Sequence, residues 1–379
     1  MTRPLVVLGA TGSIGRQALD VARRLGFSVA AVVARRGSDA LAAIAEAFPE
    51  ASIGVAAPIG SERERFATYG SRVRFGPDAS AELASIPGTI VVNGIVGAAG
   101  LRSSVAALDA GNRLALANKE SLVAGGPVVL DALRRGGGEL IPVDSEHSAV
   151  FQCLSGEEIG WVRRLIITAS GGPLRGKSRD ELENVSPAEA LHHPTWSMGS
   201  RITIDSATLA NKGFEVIEAH HLFGIPYPQI DVVVHPQSIV HSFVEFDDGS
   251  VKAQLGEPDM RLPIQYALTY PQRLTGGSAA EPSSWTLTFE EPDRAAFPTL
   301  DIVVEAGVRG GSAPAAVNAA DEIAVGAFLA GRLGFLGIAS VLEQTMERVP
   351  QVELNSVEDV MQVDAEARSV ANTLIGGAC

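Results

Sequence analysis

The sequence predicts an α/β protein that opens with a doubly wound parallel sheet. Two observations support this fold class: a buried β-branched run, a glycine-rich turn and an amphipathic helix follow one another at the start, and the strand–helix alternation then recurs. A mixed pattern of strands comes next, and the chain ends in helices. The predicted domains are a Rossmann-type first domain (1–143), a central α+β domain with a mixed sheet and a lid loop (144–274), a linker (275–297) and an α-helical domain (298–379).

The composition argues against a nucleic-acid binder, a disulfide-rich or zinc-binding protein and a membrane-spanning protein. The 379 residues carry a net charge of -14, so the chain lacks the basic face that a general nucleic-acid binder needs. Its two cysteines, Cys153 and Cys379, give neither a disulfide framework nor a zinc spacing. No window approaches the roughly 18 apolar residues of a membrane span. We therefore expect a soluble, cytoplasmic protein with no nucleic-acid or membrane partner.

The first strand, Leu5–Leu8, leads into three glycines, Gly9, Gly12 and Gly15, and then into a helix-period stretch. In that context glycines let backbone N–H groups approach a pyrophosphate, which the positive end of the helix also attracts. The spacing is G-x-x-G-x-x-G rather than G-x-G-x-x-G, so a tight turn without a ligand is the alternative.

The second strand, Val29–Ala34, ends in Arg35 and Arg36. A fold that binds NAD usually places an acid here to hold the ribose 2′-hydroxyl, whereas arginines match a 2′-phosphate in geometry and charge. The pair therefore favours NADPH over NADH. The alternative is a solvated pair of surface arginines.

Two further strands, Ile90–Asn93 and Leu114–Ala117, continue the alternation, with a helix predicted over 101–110. Asn118, Lys119 and Glu120 follow the second of them. Because such sheets bind ligands at the carboxyl ends of their strands, these side chains are expected at the mouth of the crevice. A polar loop that only precedes a helix is the alternative.

A strand over Leu140–Val143 runs into Asp144, Ser145 and Glu146. On an extended segment, carboxylates two residues apart face one side and repel unless a cation lies between them. Oxygen ligands alone select a hard ion such as Mg²⁺ or Mn²⁺. The alternative is a helix N-terminus with Ser145 as its N-cap.

A strand over Leu165–Thr168 ends at Ser170 and two glycines, a sequence that exposes backbone N–H groups for an anion or makes a simple turn. The segment HPTWSMGS then places Trp196 and Met198 between the breakers proline and glycine. It suits a mobile lid that closes over a ligand and excludes water.

A short strand, Ile202–Ile204, and then a helix are predicted after the lid, with Ser206 near the helix start. Asn211, Lys212 and Glu215 follow on the helix at positions i, i+1 and i+4. They could donate to phosphate or hydroxyl groups and supply a third carboxylate. The alternative is a solvated Lys–Glu pair on an ordinary helix.

The stretch over residues 231–268 alternates in the pattern of strands and turns at Asp248–Gly249, which predicts a hairpin in a mixed sheet. His235 and His241 are interpreted as satisfied polar residues on these strands rather than metal ligands. The end of the chain, Ala315–Val370, is predicted to be helical.

Several segments together resemble one enzyme family, in order and over almost the whole chain from Gly9. They are GATGSIG, ANKES, PVDSEHSA, ITASGGP, HPTWSMG, DSATLANKGFEVIEAHHLF, HPQSIVHS and GEPDMRLPIQYAL. The family is 1-deoxy-D-xylulose 5-phosphate reductoisomerase. Its reaction, which belongs to non-mevalonate isoprenoid precursor biosynthesis, converts a ketose phosphate to 2-C-methyl-D-erythritol 4-phosphate by retro-aldol/aldol rearrangement and hydride reduction of the aldehyde.

The resemblance implies NADPH and a divalent ion (Mg²⁺, Mn²⁺ or Co²⁺) as cofactors, a phosphosugar substrate, and a homodimer formed through the mixed sheet. The implied metal ligands are Asp144, Glu146 and Glu215. The implied substrate contacts are Lys119, Ser145, Glu146, Ser170, His193, Ser206, Asn211, Lys212 and Glu215. The implied cofactor contacts are Thr11, Gly12, Ser13, Ile14, Asn118, Glu120 and Gly199, to which the phosphate argument adds Arg35, Arg36 and Gly37.

Lys119, Glu146, His193, Trp196 and Met198 are the residues expected to act on bound substrate, Trp196 and Met198 as parts of the lid. Glu146 and Lys119 are both candidates for proton transfer, and the sequence does not choose between them. The family more often has a Gly-x-Asn segment where this chain has Arg35, Arg36 and Gly37, which leaves the contacts to the 2′-phosphate open.

Two other functions are considered. A different NADP oxidoreductase, such as a semialdehyde dehydrogenase, would need an accessible nucleophilic cysteine, and Cys153 lies in a helical apolar run. A non-catalytic dinucleotide sensor would give no reason for three acids, a lid and a cluster of phosphate donors.

Overall fold

The computed structural model describes residues 3–196, 198–276 and 281–377. The chain divides into two compact units. The first comprises Met1–Ser121, Val128–Ser148 and Asp259–Ser278, and the second comprises Leu122–Pro127, Ala149–Pro258 and Ala279–Cys379. The predicted boundaries at residues 143, 274 and 297 stay predictions.

The strands and helices are numbered in chain order. The strands are β1 (Leu5–Leu8), β2 (Val29–Ala34), β3 (Ser52–Val55), β4 (Val73–Phe75), β5 (Ile90–Asn93), β6 (Arg113–Leu116), β7 (Glu139–Pro142), β8 (Val162–Ala169), β9 (Ile230–Val234), β10 (Val240–Phe246) and β11 (Val251–Leu255). The helices are α1 (Ser13–Leu25), α2 (Asp39–Ala47), α3 (Gly60–Ala67), α4 (Ala79–Ala84), α5 (Leu101–Asp109), α6 (Glu120–Gly136), α7 (Ser145–Cys153), α8 (Arg179–Leu182), α9 (Pro187–Ala190), α10 (Ser200–Thr208), α11 (Ala210–Phe223), α12 (Arg261–Thr269), α13 (Thr299–Arg309), α14 (Ala313–Leu329), α15 (Gly337–Arg348) and α16 (Val357–Gly376).

The first unit is built on a seven-stranded sheet in the order β4-β3-β2-β1-β5-β6-β7, with every pair of neighbours parallel. β1, β2 and β5 are buried along almost their whole length, which explains their continuous apolar sequences. The chain winds outward from β1 in both directions, so the order reverses between β1 and β5. This confirms the predicted doubly wound sheet, and the predicted strands agree with the observed ones to within one residue at each end.

Helix α12 also belongs to the first unit and differs from the prediction, which placed this stretch in a series of strands. It packs against α1 and against β6 and β7. Arg261 donates to Asp20 at 2.9 Å, and Arg24 donates to Gln265 at 2.8 Å. The prediction of a strand was wrong for this helix. The apolar residues of α12 recur at helical spacing and are buried where the helix packs on the seven-stranded sheet.

The second unit contains the mixed sheet, in the order β11-β10-β8-β9. β8 and β9 are parallel, whereas β10 is antiparallel to both β8 and β11, so the predicted hairpin and mixed sheet are confirmed. His235 is completely buried and its Nδ1 lies 2.8 Å from the Thr288 carbonyl oxygen, as expected of a satisfied polar residue.

The C-terminal part of this unit is helical, as predicted. Helix α14 packs against α15 and α16, and α13 packs against α11. The buried side chains of these C-terminal helices join those of α11 and the mixed sheet in one apolar core. Among the described helices, none has the combination of length and apolarity needed to cross a membrane.

Candidate active site

The glycine turn between β1 and α1 has two glycines that the fold itself requires. Gly9 has φ +75°, and a Cβ built on it would lie 2.5 Å from the Gly94 carbonyl oxygen. A Cβ on Gly15 would lie 2.3 Å from the Gly9 carbonyl oxygen. Both contacts are with backbone, so neither position can accept a side chain without movement of the chain.

The middle glycine is under much less constraint. Gly12 is the N-cap of α1 with φ -77° and ψ 177°, an extended conformation open to any residue. A Cβ on it would meet one atom within 4 Å, the Gly9 carbonyl oxygen at 3.2 Å. Gly12 and Ser13 are exposed, so the first turn of α1 presents its backbone N–H groups at an open surface.

The arginine pair lies at the end of β2, as predicted, and both side chains are exposed. The Nε of Arg36 donates to both carboxylate oxygens of Glu62, at 3.1 and 3.0 Å. This hydrogen bond holds the pKa of Glu62 below its ordinary value. A Cβ on Gly37 would lie 2.9 Å from the Cβ of Glu62, so the backbone after the arginines lies close against α3.

Asn118 and Glu120 are buried and hold the loop that follows β5. The Nδ2 of Asn118 donates to the carbonyl oxygens of Ile95 at 2.7 Å and Gly97 at 3.0 Å. Glu120 accepts from the Gly97 N–H at 2.9 Å, and also from Asn118 at 2.8 Å. The sequence did not predict this role, because the partners of Asn118 and Glu120 include backbone groups of a loop more than twenty residues earlier in the chain.

A second cluster in the first unit lies where β7 ends and α7 begins. Lys119 and Asp144 form an ion pair at 2.6 Å, and each side chain is only 11% exposed. The hydroxyl of Ser145 donates to the carboxylate of Glu146. His147 is completely buried, with its Nδ1 4.0 Å from an Asp144 oxygen.

The extended segment predicted for Asp144 and Glu146 is wrong. Helix α7 begins at Ser145, so Asp144 directly precedes a helix and Glu146 lies in its first turn. The predicted alternative, a helix N-terminus, is therefore confirmed, but Asp144 rather than Ser145 directly precedes the helix. Acids are favoured at this end of a helix because the helix dipole is positive there.

Helix α11 in the second unit carries three of the predicted residues. Lys212 and Asn211 both donate to the carboxylate of Glu215, one to each oxygen. Lys212 is 4% exposed and Glu215 is 1% exposed. The alternative of a solvated surface pair is therefore wrong, and burying this pair carries a desolvation cost that an ordinary helix has no need to bear.

Ser206 lies on α10 next to the loop that follows β8. A Cβ on Gly172 would lie 2.4 Å from the Ser206 carbonyl oxygen, so the Ser170–Gly172 loop packs directly on this part of the helix. Helix α10 ends at Thr208, Leu209 adopts a left-handed conformation with φ +63°, and α11 begins at the next residue. The second unit thus brings the loop of Ser170 and the helix of Ser206 together.

Two local predictions for this stretch are wrong. Residues 202–204, predicted as a strand, lie inside α10, and Ser206 is near the end of that helix rather than near a helix start. The alternating isoleucines suggested a strand, but Ile204 is fully buried in the core of the second unit. Tertiary packing therefore outweighs the β preference of these residues.

The lid segment is anchored through His193. Its Nδ1 accepts from the backbone N–H groups of Thr195 at 3.1 Å and Trp196 at 2.9 Å. Its Nε2 lies 3.0 Å from the Ser170 hydroxyl. Because Nδ1 accepts, the proton of the neutral ring is on Nε2, and burial lowers the pKa of His193 in agreement with a neutral ring.

Trp196 and Met198 are partly exposed, as predicted for a lid, and Ser197 between them lies outside the described residues. The Trp196 ring centroid is 6.4 Å from that of His241. Gly199 is exposed and is the N-cap of α10.

Cys153, the last residue of α7, is buried, and burial raises the pKa of its thiol to about 11. A thiol that stays protonated at neutral pH is a poor nucleophile. This argues against the dehydrogenase alternative at the one cysteine that the structure describes.

Three family models match the chain in succession. Residues 5–126 match the model for 1-deoxy-D-xylulose 5-phosphate reductoisomerase, residues 140–223 match the model for the C-terminal domain of that enzyme, and residues 255–370 match a further DXP reductoisomerase C-terminal domain.

Relatives with the same name cover nearly all of the chain. A 1-deoxy-D-xylulose 5-phosphate reductoisomerase of Geobacillus sp. (strain WCH70) is 49% identical over 379 residues, which is 97% of this chain and 99% of the relative. The protein of that name from Bacillus cereus (strain Q1) is 48% identical over 368 residues, which is 96% of this chain and 97% of the relative.

Solved structures agree over the same extent. The reductoisomerase from Zymomonas mobilis in complex with NADPH aligns with a TM-score of 0.91 and 43% identity, covering 99% of each chain. A DOX-P reductoisomerase in complex with NADPH, fosmidomycin and magnesium aligns with a TM-score of 0.90 and 37% identity, covering 99% of this chain and 98% of that one.

Proposed function

The chain belongs to the 1-deoxy-D-xylulose 5-phosphate reductoisomerase family, and from this premise we propose which of its residues carry the reaction. It is a metal- and NADPH-dependent reductoisomerase that converts 1-deoxy-D-xylulose 5-phosphate to 2-C-methyl-D-erythritol 4-phosphate in isoprenoid precursor biosynthesis. A divalent ion would supply Lewis-acid stabilisation of charge on the substrate's oxygens, and NADPH would supply the hydride. The assignments below concern the chain's own groups.

Asp144, Glu146 and Glu215 would hold the divalent ion. Their donor set fits a hard ion, since all three are carboxylates. Lys119 and Lys212 are paired with the first and the last of these carboxylates and would hold them in position until the ion binds.

The turn between β1 and α1 would hold the pyrophosphate of NADPH. Thr11, Gly12, Ser13 and Ile14 lie at the exposed start of α1, where N–H groups and the helix dipole favour an anion. Arg35, Arg36 and Gly37 would receive the 2′-phosphate. Asn118 and Glu120 support this function by fixing the loop after β5, and Gly199 is proposed as a further contact.

Ser170, Ser206, Asn211 and Lys212 would bind the phosphate and hydroxyl groups of the substrate. The phosphate lies away from the reacting carbons, and binding it fixes their orientation. The later steps therefore lose little further entropy. Ser145 and His193 are proposed as further contacts. Since the ring of His193 is neutral and carries its proton on Nε2, it would act as a hydrogen-bond donor rather than as a cation.

Trp196 and Met198 would close over the substrate and keep the aldehyde formed by the rearrangement from water. Glu146 and Lys119 remain the two candidates for moving protons. The observation that supports the assignments on α11 is the burial of the Lys212–Glu215 pair, because burying two charges has a desolvation cost that a solvated surface pair does not have.

The experiment is oxidation of NADPH in the presence of 1-deoxy-D-xylulose 5-phosphate, before and after treatment with a chelator. We expect activity to be lost with the chelator and restored by Mg²⁺, Mn²⁺ or Co²⁺. Activity that is indifferent to the chelator would contradict the proposed metal site.

A homodimer and a cytoplasmic location complete the proposal. Support for the dimer comes from the mixed sheet, where Val251 of β11 is 52% exposed and where Phe289, whose ring packs against Phe243 of β10, is 43% exposed. Sedimentation at micromolar concentration would give a monomer if this face had another use. NADPH and sugar phosphates are metabolites of the cytoplasm, and cell fractionation tests that location.

A further inference from the structure

Arg201 lies on α10 two residues after Gly199, where the lid segment passes into the helix. Its guanidinium reaches across to α14, and the side chain is only 16% exposed. It donates to Glu322 at 2.9 Å and to Asn318 and Asp321 at 3.2 Å each. Its Nε is also 3.6 Å from Asp205 on its own helix.

The acceptors on α14 are fixed in their turn. Glu322 accepts from Arg201 with one oxygen and from Arg368 of α16 with the other. Arg368 also donates to Asp364 of α16 at 2.7 and 3.1 Å. Asp321 is completely buried, and burial raises the pKa of its carboxyl. Arg201 thus binds a rigid set of groups on the C-terminal helices.

This attachment matters for α10 because the helix is short and its C-terminal end is not continuous with α11. It has nine residues, and the chain turns through a left-handed conformation at Leu209 before α11 begins. The proposed phosphate ligand Ser206 lies between the attachment at Arg201 and that break. Movement of α10 along α14 would therefore displace the Ser206 hydroxyl directly.

We propose that Arg201 is a positioning residue of the substrate site, which holds α10 on α14 so that Ser206 meets the substrate's phosphate. The inference rests on the proposed role of Ser206 in binding that phosphate. Hydrogen bonds weaken steeply with distance and angle, so a small displacement of the helix is enough to lose one.

The test is Arg201→Lys, which keeps the charge but cannot reach three acceptors on α14 at once. We expect the KM for 1-deoxy-D-xylulose 5-phosphate to rise about tenfold, the size of one lost charge-assisted hydrogen bond, while the KM for NADPH stays within about twofold. Arg368→Lys is the matched control: it makes the same exchange at the other donor to Glu322, outside α10. It should lower the melting temperature as much or more and leave both KM values within about twofold.

Ser206→Ala, alone and combined with Arg201→Lys, separates this inference from the function on which it rests. If Arg201 acts through Ser206, the double variant has nearly the same substrate KM as Ser206→Ala alone. Additive effects, or equal effects of Arg201→Lys and Arg368→Lys, would overturn the positioning role. If Ser206→Ala leaves the substrate KM unchanged, the proposed phosphate site is wrong and the inference falls with it.

Asn318→Ala provides a milder change in case Arg201→Lys does not fold. It removes one neutral acceptor of Arg201 and leaves every charge in place. We expect it to raise the substrate KM about threefold with no change in the KM for NADPH. An unchanged substrate KM in this folded variant would also overturn the inference.

Discussion

The proposed cofactor site and the part of the proposed substrate site that lies on α10 and α11 are built from different materials. In the first unit the proposed cofactor site is mostly backbone: a glycine turn, the start of α1 and a loop whose carbonyl and N–H groups are held by Asn118 and Glu120. In the second unit the proposed substrate site consists of side chains, and its central ion pair, Lys212–Glu215, is buried.

This difference determines how each site should respond to mutation. A site made of backbone depends on the shape of the chain, so most side chains around it can change provided that the turn is kept. A site made of buried charged side chains depends on each partner, because removing one leaves the other uncompensated at low dielectric. The following predictions use that contrast, beginning with the largest expected effect.

Glu215→Gln should lower kcat/KM on the order of a thousandfold, because it removes a proposed metal ligand and the partner of Lys212 together. The affinity for NADPH should stay within about twofold, since the proposed cofactor site belongs to the other unit. Steady-state kinetics and a fluorescence titration with NADPH measure the two quantities.

Glu189→Gln is the matched control for this change. Glu189 is an exposed glutamate of the same unit that pairs with Lys177 at 2.9 Å, and surface pairs of that kind contribute little. It should keep wild-type kinetics. A Glu215→Gln enzyme with near wild-type activity and an unaltered requirement for metal would remove the contrast between the two sites.

The same contrast explains how much could be predicted from the sequence. The glycine turn, five of the seven strands of the parallel sheet and the C-terminal helices were predicted nearly in place, because each is specified by residues close together in the chain. The helical backbone at Glu146 was one of two alternatives, and strands β3 and β4 and the helix over residues 202–204 were missed. There the local pattern fits two structures, and packing against distant elements decides between them.

Contacts between distant residues were the hardest to predict. Lys119 pairs with Asp144, which lies 25 positions later in the chain, and Arg201 is attached to Glu322, which lies 121 positions later. The spacing of residues in helices and strands predicts only contacts between near neighbours in the chain, so it does not predict these pairs. Family resemblance supplied the remaining site residues, and their roles stay predictions that the kinetic tests address.

The glycine turn gives the second prediction, since Gly9 and Gly12 should fail in different ways. Gly9→Ala forces a side chain into a left-handed conformation and against the Gly94 carbonyl, and should cost roughly 1–3 kcal/mol of stability. Gly12→Ala should change the stability by less than about 0.5 kcal/mol and raise the Kd for NADPH about tenfold, because its side chain would lie where the pyrophosphate approaches the backbone.

Urea unfolding and NADPH titration of the two variants measure these effects side by side. Stability loss in Gly9→Ala with little loss in Gly12→Ala would separate the requirement of the fold from that of the ligand. If Gly12→Ala bound NADPH as the wild type does, the middle glycine would be no part of the cofactor site.

Arg36 gives the smallest expected effect, because it is an exposed side chain in a cofactor site made mostly of backbone. Arg36→Ala should raise the Kd for NADPH about fivefold and leave that for NADH unchanged, since only NADPH carries the 2′-phosphate. Its side chain is 46% exposed and already donates through Nε to Glu62, so solvent and salt weaken the interaction of the guanidinium with the phosphate. The effect should therefore shrink further as salt is added. An equal rise for NADPH and NADH would mean that Arg36 acts by holding α3 through Glu62, and the first unit would then recognise its cofactor without this side chain.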